Sequence, residues 1–186
     1  MTNLRLNAIN QVKDIYDYFS SLKKFSLIIP EVRTNISVAI KEAKSEEDIA
    51  AIEGRISIIG GYPKAIGDIK FGVSDHTARL ILTAKEFDKS INVVMNLKFD
   101  PELIKAINEN TNLELREIRR EEQPEKIKNR EHSTMQWLIK NTVDELGRVP
   151  DIIWDTGAKG KEPMMRIFSK SAEDMIIKLE KILKLI

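Results

Sequence analysis

Residues 53–80 carry the side chains of this sequence that are best suited to chemistry on a phosphorylated small molecule. The segment EGRISIIGGYPKAIGDIKFGVSDHTARL combines several glycines with two lysines, two arginines and His76, the first of only two histidines in the chain. Glycine lets the backbone approach a ligand closely, the cations supply fixed positive charge, and histidine can donate a hydrogen bond or move a proton. This combination predicts a site for a phosphate or diphosphate.

Two features of the segment also have an ordinary explanation. His76 follows Ser74 and Asp75 at the predicted start of a helix, where free N–H groups favour an anion, but any capped helix gives the same pattern. Arg55 lies on a neighbouring predicted strand, and by itself it is best explained as a solvent-facing residue, because burying an arginine without a partner is costly.

Other segments offer weaker chemistry. The glycine-rich loop DTGAKGKE at residues 155–162 resembles a phosphate cradle in composition, but its spacing is not that of a P-loop. Ser133 is explained by default as a helix cap, and no third member of a Ser–His triad is apparent. Three carboxylates are candidates to contribute to a magnesium ion carried by a substrate diphosphate: Asp68, Asp75 and Asp155.

Composition excludes several classes of function. The 186 residues contain no cysteine, which rules out disulfides, cysteine-based zinc sites, iron–sulfur clusters and thiol nucleophiles, and two histidines cannot build a three-histidine zinc centre. A net charge of +1 argues against nucleic acid as the main partner. The charged N-terminus is unlike a signal peptide, and the apolar runs are too short to span a bilayer. We therefore expect a cytoplasmic protein with no membrane partner.

Strands and helices alternate from about residue 35 to the end of the chain, which predicts a three-layer α/β/α sandwich with a mixed central sheet. Strands are expected at 35–40, 55–59, 69–73, 91–97, 113–118, 150–154 and 164–168. Helices are expected at 6–25, from Ser45, at 75–87, after Pro101, at 133–146 and at 171–185. We expect one domain over residues 1–186, with an amphipathic helix in residues 1–28 as an appendage to it.

Several ordered stretches together resemble the ThiN-type, or archaeal-type, thiamine-phosphate synthase domain. They are RTNI at 33–36, GRI at 54–56, GYPK at 61–64, FG at 71–72 with HTARL at 76–80, STMxW at 133–137, PDII at 150–153 and DxGxxGKE at 155–162. They cover roughly residues 30 to 185. His132 departs from the pattern, because a small residue, usually glycine, is expected before Ser133. Family members are commonly fused to a kinase or a DNA-reading segment, whereas this chain is expected to be free-standing.

The resemblance implies a transferase that condenses hydroxymethylpyrimidine diphosphate with hydroxyethylthiazole phosphate to give thiamine phosphate and pyrophosphate. It also implies a fold similar to that of class II aldolases and catalytic roles for Arg55 and His76. Independently of the resemblance, we expect a magnesium ion to bind with the diphosphate substrate. The candidate substrate-binding or phosphate-binding residues are Arg33, Asn35, Lys64, Ser74, Thr77, Arg79, Ser133, Asp155, Gly157, Gly160 and Lys161. A homodimer is expected, because the first and last helices both offer apolar faces.

Two alternatives stay open at this level. A ligand-sensing protein on the same scaffold would bind thiamine phosphate without making it, and turnover would separate it from the enzyme. An aldolase-like metal enzyme is disfavoured because the chain has only two histidines.

Overall fold

The computed structural model describes residues 2–124 and 133–186. Five α-helices lie in these ranges: α1 (Asn3–Ser20), α2 (His76–Phe87), α3 (Pro101–Asn110), α4 (Ser133–Leu146) and α5 (Ala172–Leu183). Thr2, Asp100 and Ser171 cap α1, α3 and α5 by accepting backbone N–H groups with their side chains. None of the helices in the described part of the chain is both long and apolar enough to cross a membrane.

Seven strands form one mixed sheet in the order β5-β2-β1-β6-β9-β8-β7. The strands are β1 (Ile36–Ala39), β2 (Ile49–Ile52), β5 (Ile69–Phe71), β6 (Val93–Lys98), β7 (Leu115–Glu117), β8 (Ile152–Asp155) and β9 (Met164–Ser169). Neighbours pair antiparallel except for β7 and β8, which are parallel. A separate antiparallel hairpin is made of β3 (Ile56–Ile59) and β4 (Tyr62–Ala65).

Helices cover both faces of the sheet. Alternate residues of β6 enter different cores: Met95 packs with α1, α3 and α5, whereas Val94 packs with α2 and α4. All residues of β1 and β2 are buried, and they are apolar except for Ser37, as expected for strands covered on both faces. The predicted α/β architecture with helices on both faces of a mixed sheet is confirmed.

Two elements differ from the sequence prediction. Ser45 was expected to begin a helix, and a capping box does form with Asp48, but only a 3₁₀ turn (Glu46–Asp48) follows before β2. Residues 49–52 become a strand because pairing with β1 and β5 buries both of their faces, and this tertiary gain exceeds local helix propensity. Residues 62–65, expected to be part of a turn, form β4.

The apolar faces of the first and last α-helices pack inside the chain. Val12 and Ile15 of α1 and Met175 and Leu179 of α5 are all fully buried in the same core. Helix α1 therefore contributes to the core of the sandwich, although the sequence suggests an appendage. Those faces are not available as a dimer interface, and the homodimer and the division into domains stay predictions.

Candidate functional site

Several of the sequence-predicted residues lie at one end of the large sheet, which we call the site end. Here β1, β5 and β9 begin, and β2, β6, β7 and β8 end. Arg33 precedes β1, Arg55 follows β2, and Asp155 is the last residue of β8. His76 begins α2, whose next residue, Thr77, contacts Ser37 of β1. The fold thus brings together residues that are far apart in the chain.

Arg33 and Arg55 share an unusual backbone conformation. Both have φ of +71°, and they are the two non-glycine residues with positive φ in the described ranges. A left-handed conformation costs an L-residue about 1–2 kcal/mol relative to the right-handed one, so each position would favour glycine on backbone grounds. Strain of this kind concentrates at functional sites, because the side chain is needed where the backbone would prefer none.

The side chain of each arginine reaches the chain segment that carries the other arginine, an arrangement that we call the crossing. Arg55 Nη1 donates to the carbonyl of Val32 at 2.7 Å, and Arg33 Nη1 donates to the carbonyl of Gly54 at 3.4 Å. A pair of backbone hydrogen bonds between Thr34 and Ile56 lies directly beside this crossing. Each guanidinium thus touches the residue before the other arginine, and most of its donors are left for a ligand.

Glycine is required next to Arg55. At Gly54, φ is +70° and an added Cβ would lie 2.9 Å from a side-chain carbon of Ile66. The turn between β2 and β3 therefore depends on this glycine, and the turn aims Arg55 at the site end.

Glu162 holds the segment that leads to Arg33. Its carboxylate oxygens accept the backbone N–H groups of Glu31 and Val32 at 2.8 and 3.1 Å. The pattern DxGxxGKE contained Glu162, but sequence reasoning gave it no role. Its role is visible only when the loop after β8 is seen next to the chain before β1.

His76 is exposed and lies in a positive environment. Its side chain keeps a relative exposure of 67%, with Asp75 3.9 Å from Nδ1. Lost hydration lowers the pKa of the imidazole below its ordinary value, and the charges of Arg55, Arg79 and Arg166 lower it further, against the opposing effect of Asp75. The imidazole is therefore mainly neutral at pH 7, and an anion bound beside it would favour its protonated form.

Ser74 and Thr77 form hydrogen bonds within the protein. Their hydroxyls bond to each other at 2.6 Å and to Ser37 at 3.2 and 2.6 Å, and all three residues are buried. This network fixes the start of α2 against β1 and thereby positions His76. Substrate binding by Ser74 and Thr77 stays a prediction.

Asn35 and Arg79 are also occupied within the protein. The Asn35 carboxamide accepts from the N–H groups of Ile36 and Ile52 and donates to the Ile52 carbonyl, so it joins β1 to β2. Arg79 pairs with Asp75 at 2.5 Å and with Glu46 at 3.0 Å. Both predicted ligand-binding residues therefore hold the frame of the site.

A buried charge cluster surrounds Asp155. Arg120 grips its carboxylate through Nε at 2.6 Å and Nη2 at 3.2 Å, Arg166 Nη1 lies at 2.7 Å, and the N–H of Gly157 donates at 2.8 Å. Burial alone would raise the pKa of Asp155, but the two guanidiniums outweigh it and the net pKa is lowered. Sequence reasoning missed Arg120 and Arg166, which lie in a charged run and in an apolar strand with no motif to distinguish them.

The rest of the loop after β8 forms a tight turn. Ala158 and Lys161 pair through two backbone hydrogen bonds, and Gly160 between them has φ of +73°. At Gly157 an added Cβ would lie 2.5 Å from the Lys161 carbonyl, so only glycine fits. Lys161 is exposed at the tip of the loop.

Two predicted residues lie apart from these contacts, and one feature is not described. Lys64 is exposed on β4 of the small hairpin, and Ser133 begins α4, but its side chain is outside what the structure describes. His132, which departs from the family pattern, lies outside the described residues.

The described residues offer no group of three or more carboxylates and histidines that could hold a metal ion. Asp155 is a poor magnesium ligand, because hydrogen bonds from Arg120, Arg166 and Gly157 occupy both of its oxygens. Asp68 is exposed and Asp75 pairs with Arg79. The three carboxylates suggested by the sequence do not form one site, so a metal would depend on ligands supplied by the substrate.

Comparisons with known proteins point in one direction. A family model described as thiamine-phosphate synthase ThiN matches residues 11–181. The chain is 37% identical over 183 residues to the bifunctional thiamine biosynthesis protein ThiDN of Methanocaldococcus jannaschii, a match that covers 97% of this chain and 42% of that protein. It is 31% identical over 181 residues to thiamine-phosphate synthase ThiN of Methanothermobacter thermautotrophicus, covering 97% and 95% of the two chains.

Similarity extends to a solved structure. The crystal structure of the C-terminal domain of a phosphomethylpyrimidine kinase superposes with a TM-score of 0.84 at 32% identity, covering 97% of each chain. The present chain thus spans less than half of the bifunctional relative and nearly all of the shorter one.

Proposed function

Because this chain belongs to the ThiN family of thiamine-phosphate synthases, we propose that it condenses hydroxymethylpyrimidine diphosphate with hydroxyethylthiazole phosphate. In this reaction the thiazole nitrogen attacks the pyrimidine methylene carbon and forms a C–N bond. The C–O bond to the diphosphate breaks, and the diphosphate leaves with the electron pair. The product is thiamine phosphate, with a positively charged thiazolium ring.

One observation carries the proposal: Arg33 and Arg55 keep strained left-handed backbones at the site end, next to the exposed His76. Negative charge grows on the leaving diphosphate as the C–O bond breaks. Guanidinium and imidazolium donors fixed in advance stabilise that charge more strongly in the transition state than in the ground state. Arg55 and His76 are the proposed catalytic residues, and Arg33 the proposed diphosphate-binding partner.

His76 fits the role of a hydrogen-bond donor that becomes protonated when the substrate binds. Its lowered pKa keeps the free imidazole neutral near pH 7, and the negative diphosphate raises that pKa on binding. The protonated ring then donates to a leaving-group oxygen. The attack by the thiazole nitrogen needs mainly correct placement of the two rings.

Magnesium is proposed to arrive with the diphosphate. Its oxygens would supply most ligands, since Asp155 is already bonded to two arginines. When bound, the ion would neutralise part of the leaving-group charge. We also propose a cytoplasmic location and a homodimer, the latter to be measured by light scattering coupled to size-exclusion chromatography.

A turnover assay tests the proposal. The purified chain, given both precursors and Mg²⁺, is expected to release thiamine phosphate and pyrophosphate in equal amounts over many turnovers. Arg55→Ala and His76→Ala are each expected to lower kcat/KM by about 10²–10³-fold, as for loss of a donor to a developing anion.

Arg116→Ala is the matched control, because Arg116 is exposed on the edge strand β7, away from Arg55. It should leave kcat/KM unchanged. Tight binding of thiamine phosphate with no turnover would instead identify a ligand-sensing protein on the same scaffold.

A further inference from the structure

The cluster of Arg120, Asp155 and Arg166 has more positive than negative charge. Asp155 is fully buried, and the side chains of Arg120 and Arg166 keep 6% and 5% exposure. Among the described side chains, Asp155 is the carboxylate that both guanidiniums share. Two cations and one anion leave the cluster with a net charge of about +1 in a dry environment, which is costly unless another anion joins it.

The carboxylate itself is saturated. Oδ1 accepts from Arg120 Nε and from the Gly157 N–H, and Oδ2 accepts from Arg120 Nη2 and Arg166 Nη1. Asp155 therefore cannot take the remaining donor of Arg120.

That remaining donor is Nη1 of Arg120, which is buried and has no hydrogen-bond partner among the described residues. Because Nε and Nη2 both face Asp155, Nη1 is the nitrogen directed away from the carboxylate. A buried N–H group left without an acceptor costs about 1–3 kcal/mol, more when it is charged, so such groups are normally satisfied by a protein group, an ordered water or a bound ligand.

The backbone around Arg120 is fixed in place. Ile118 donates to the Trp154 carbonyl of β8 at 2.8 Å, and the buried Gln123 donates to Thr134 of α4 at 3.0 Å. The guanidinium is thus held on both sides of its short 3₁₀ turn (Arg120–Glu122). A donor held this firmly is suited to bind an oxyanion without reorganisation.

The cluster is close enough to His76 to act on it, since the charge of Arg166 lowers the pKa of His76. It is nevertheless distinct from the crossing of Arg33 and Arg55. Strands β1 and β8 are separated by β6 and β9, a distance of about 14 Å at the usual strand spacing. The site end therefore has two cationic centres. One is made by Arg33 and Arg55, and the other by Arg120 and Arg166.

We propose that Arg120 Nη1, supported by Arg166, binds a phosphoryl oxyanion of one of the two substrates. This inference rests on the proposed function, in which two separate phosphorylated molecules must bind at once. The oxyanion neutralises the excess charge and satisfies the buried donor, and exclusion of water strengthens the charge-assisted hydrogen bond. In this proposal Arg120 is a substrate-binding residue, although no motif in the sequence marks it.

The test is the binding of inorganic pyrophosphate and inorganic phosphate, measured by calorimetry in the absence of Mg²⁺. Arg120→Met leaves a neutral Asp155–Arg166 pair and should weaken the binding of one or both anions by about tenfold or more. Arg120→Lys keeps the charge without the forked geometry and should fall between the wild type and Arg120→Met. It also serves as the second variant if the methionine variant does not fold.

Arg148→Met is the matched control. Arg148 grips Glu114 through Nε and Nη2 at 2.9 and 2.7 Å, the same side-on pairing as in Arg120, but at the surface. It should bind both anions as the wild type does. A loss of less than tenfold in both Arg120 variants, with folding intact by circular dichroism, overturns the inference.

Two further arms identify the source of the oxyanion. Affinity for the thiazole phosphate and for the pyrimidine diphosphate is measured separately in the wild type and in Arg120→Met. The substrate whose affinity is lower in Arg120→Met is the one that Arg120 binds. Because these are binding measurements, the outcome is separate from turnover. A protein that binds anions through Arg120 but makes no thiamine phosphate would refute the proposed function alone.

Discussion

The two arginine pairs at the site end are held in opposite ways. Arg33 and Arg55 have strained backbones, bond through their side chains to backbone carbonyls, and are at least partly open to solvent. Arg120 and Arg166 are buried and bond to one carboxylate. The first pair is positioned by the path of the chain, and the second by an ion pair.

This difference indicates which energy term opposes the position of each arginine pair. The exposed pair keeps its charges hydrated, so the cost lies in the left-handed backbone. The buried pair has lost its hydration, so its cost lies in electrostatics and depends on Asp155. Substitutions should therefore affect the two centres through different physical terms.

The largest expected effect is on the buried centre. Asp155→Asn leaves two guanidiniums without a counter-charge and should lower the free energy of unfolding by about 3–5 kcal/mol. The measurement is urea denaturation followed by circular dichroism. Glu114→Gln, which removes the partner of the exposed Arg148, is the control and should cost at most about 1 kcal/mol. Equal losses for both variants would show that burial of Asp155 does not matter.

A pH titration addresses the exposed centre. The free-protein pKa of His76 is lowered and a bound diphosphate raises it, so binding takes up a proton. Affinity for pyrophosphate should be highest below the free-protein pKa, fall by about tenfold per pH unit as the pH rises between the two pKa values, and level off above the higher one.

Calorimetry between pH 5 and 9 on the wild type and His76→Ala separates this effect from the ionisation of pyrophosphate itself, because that ionisation is common to both proteins. The ratio of the two affinities should vary with pH. A constant ratio would exclude protonation of His76 on binding.

Backbone strain predicts a difference between two variants at Arg55. Arg55→Gly and Arg55→Ala both remove the guanidinium, but only glycine tolerates φ of +71°. The glycine variant should be more stable than the alanine variant by about 1 kcal/mol in thermal or urea unfolding, with kcat/KM lowered to a similar extent in both. The reverse order is expected at an ordinary residue such as Arg116, because glycine is there the less favourable of the two.

The smallest effect is expected at Lys64. This residue is exposed on the hairpin, where an ion pair with a ligand is worth about 0.2–1 kcal/mol. Lys64→Ala should lower kcat/KM by less than about fivefold. A loss as large as that of Arg55→Ala would place the hairpin within the catalytic centre.

Local signals in the sequence predicted most elements of the fold correctly. Apolar periodicity located α1, α2 and α5, and short, largely apolar runs located β1, β6 and β9. Strand β2 was missed because IAAI after a capping box is compatible with a helix, and only pairing with β1 and β5 makes it a strand. The hairpin strand β4 was missed because Pro63 and the flanking glycines are also typical of a turn.

The sequence by itself determined the α/β class and the family, and it singled out Arg55 and His76, because these depend on residue types, periodicity and ordered motifs along the chain. Only the tertiary structure decided which polar residues are free for a ligand. The side chains of Ser74, Thr77 and Asn35 form hydrogen bonds within the protein. In contrast, Nη1 of Arg120 is buried and has no partner among the described residues. The physical reason is that hydrogen-bond satisfaction and desolvation depend on neighbours distant in the chain, such as the partners that the fold brings to Asp155 from the 3₁₀ turn after β7 and from β9.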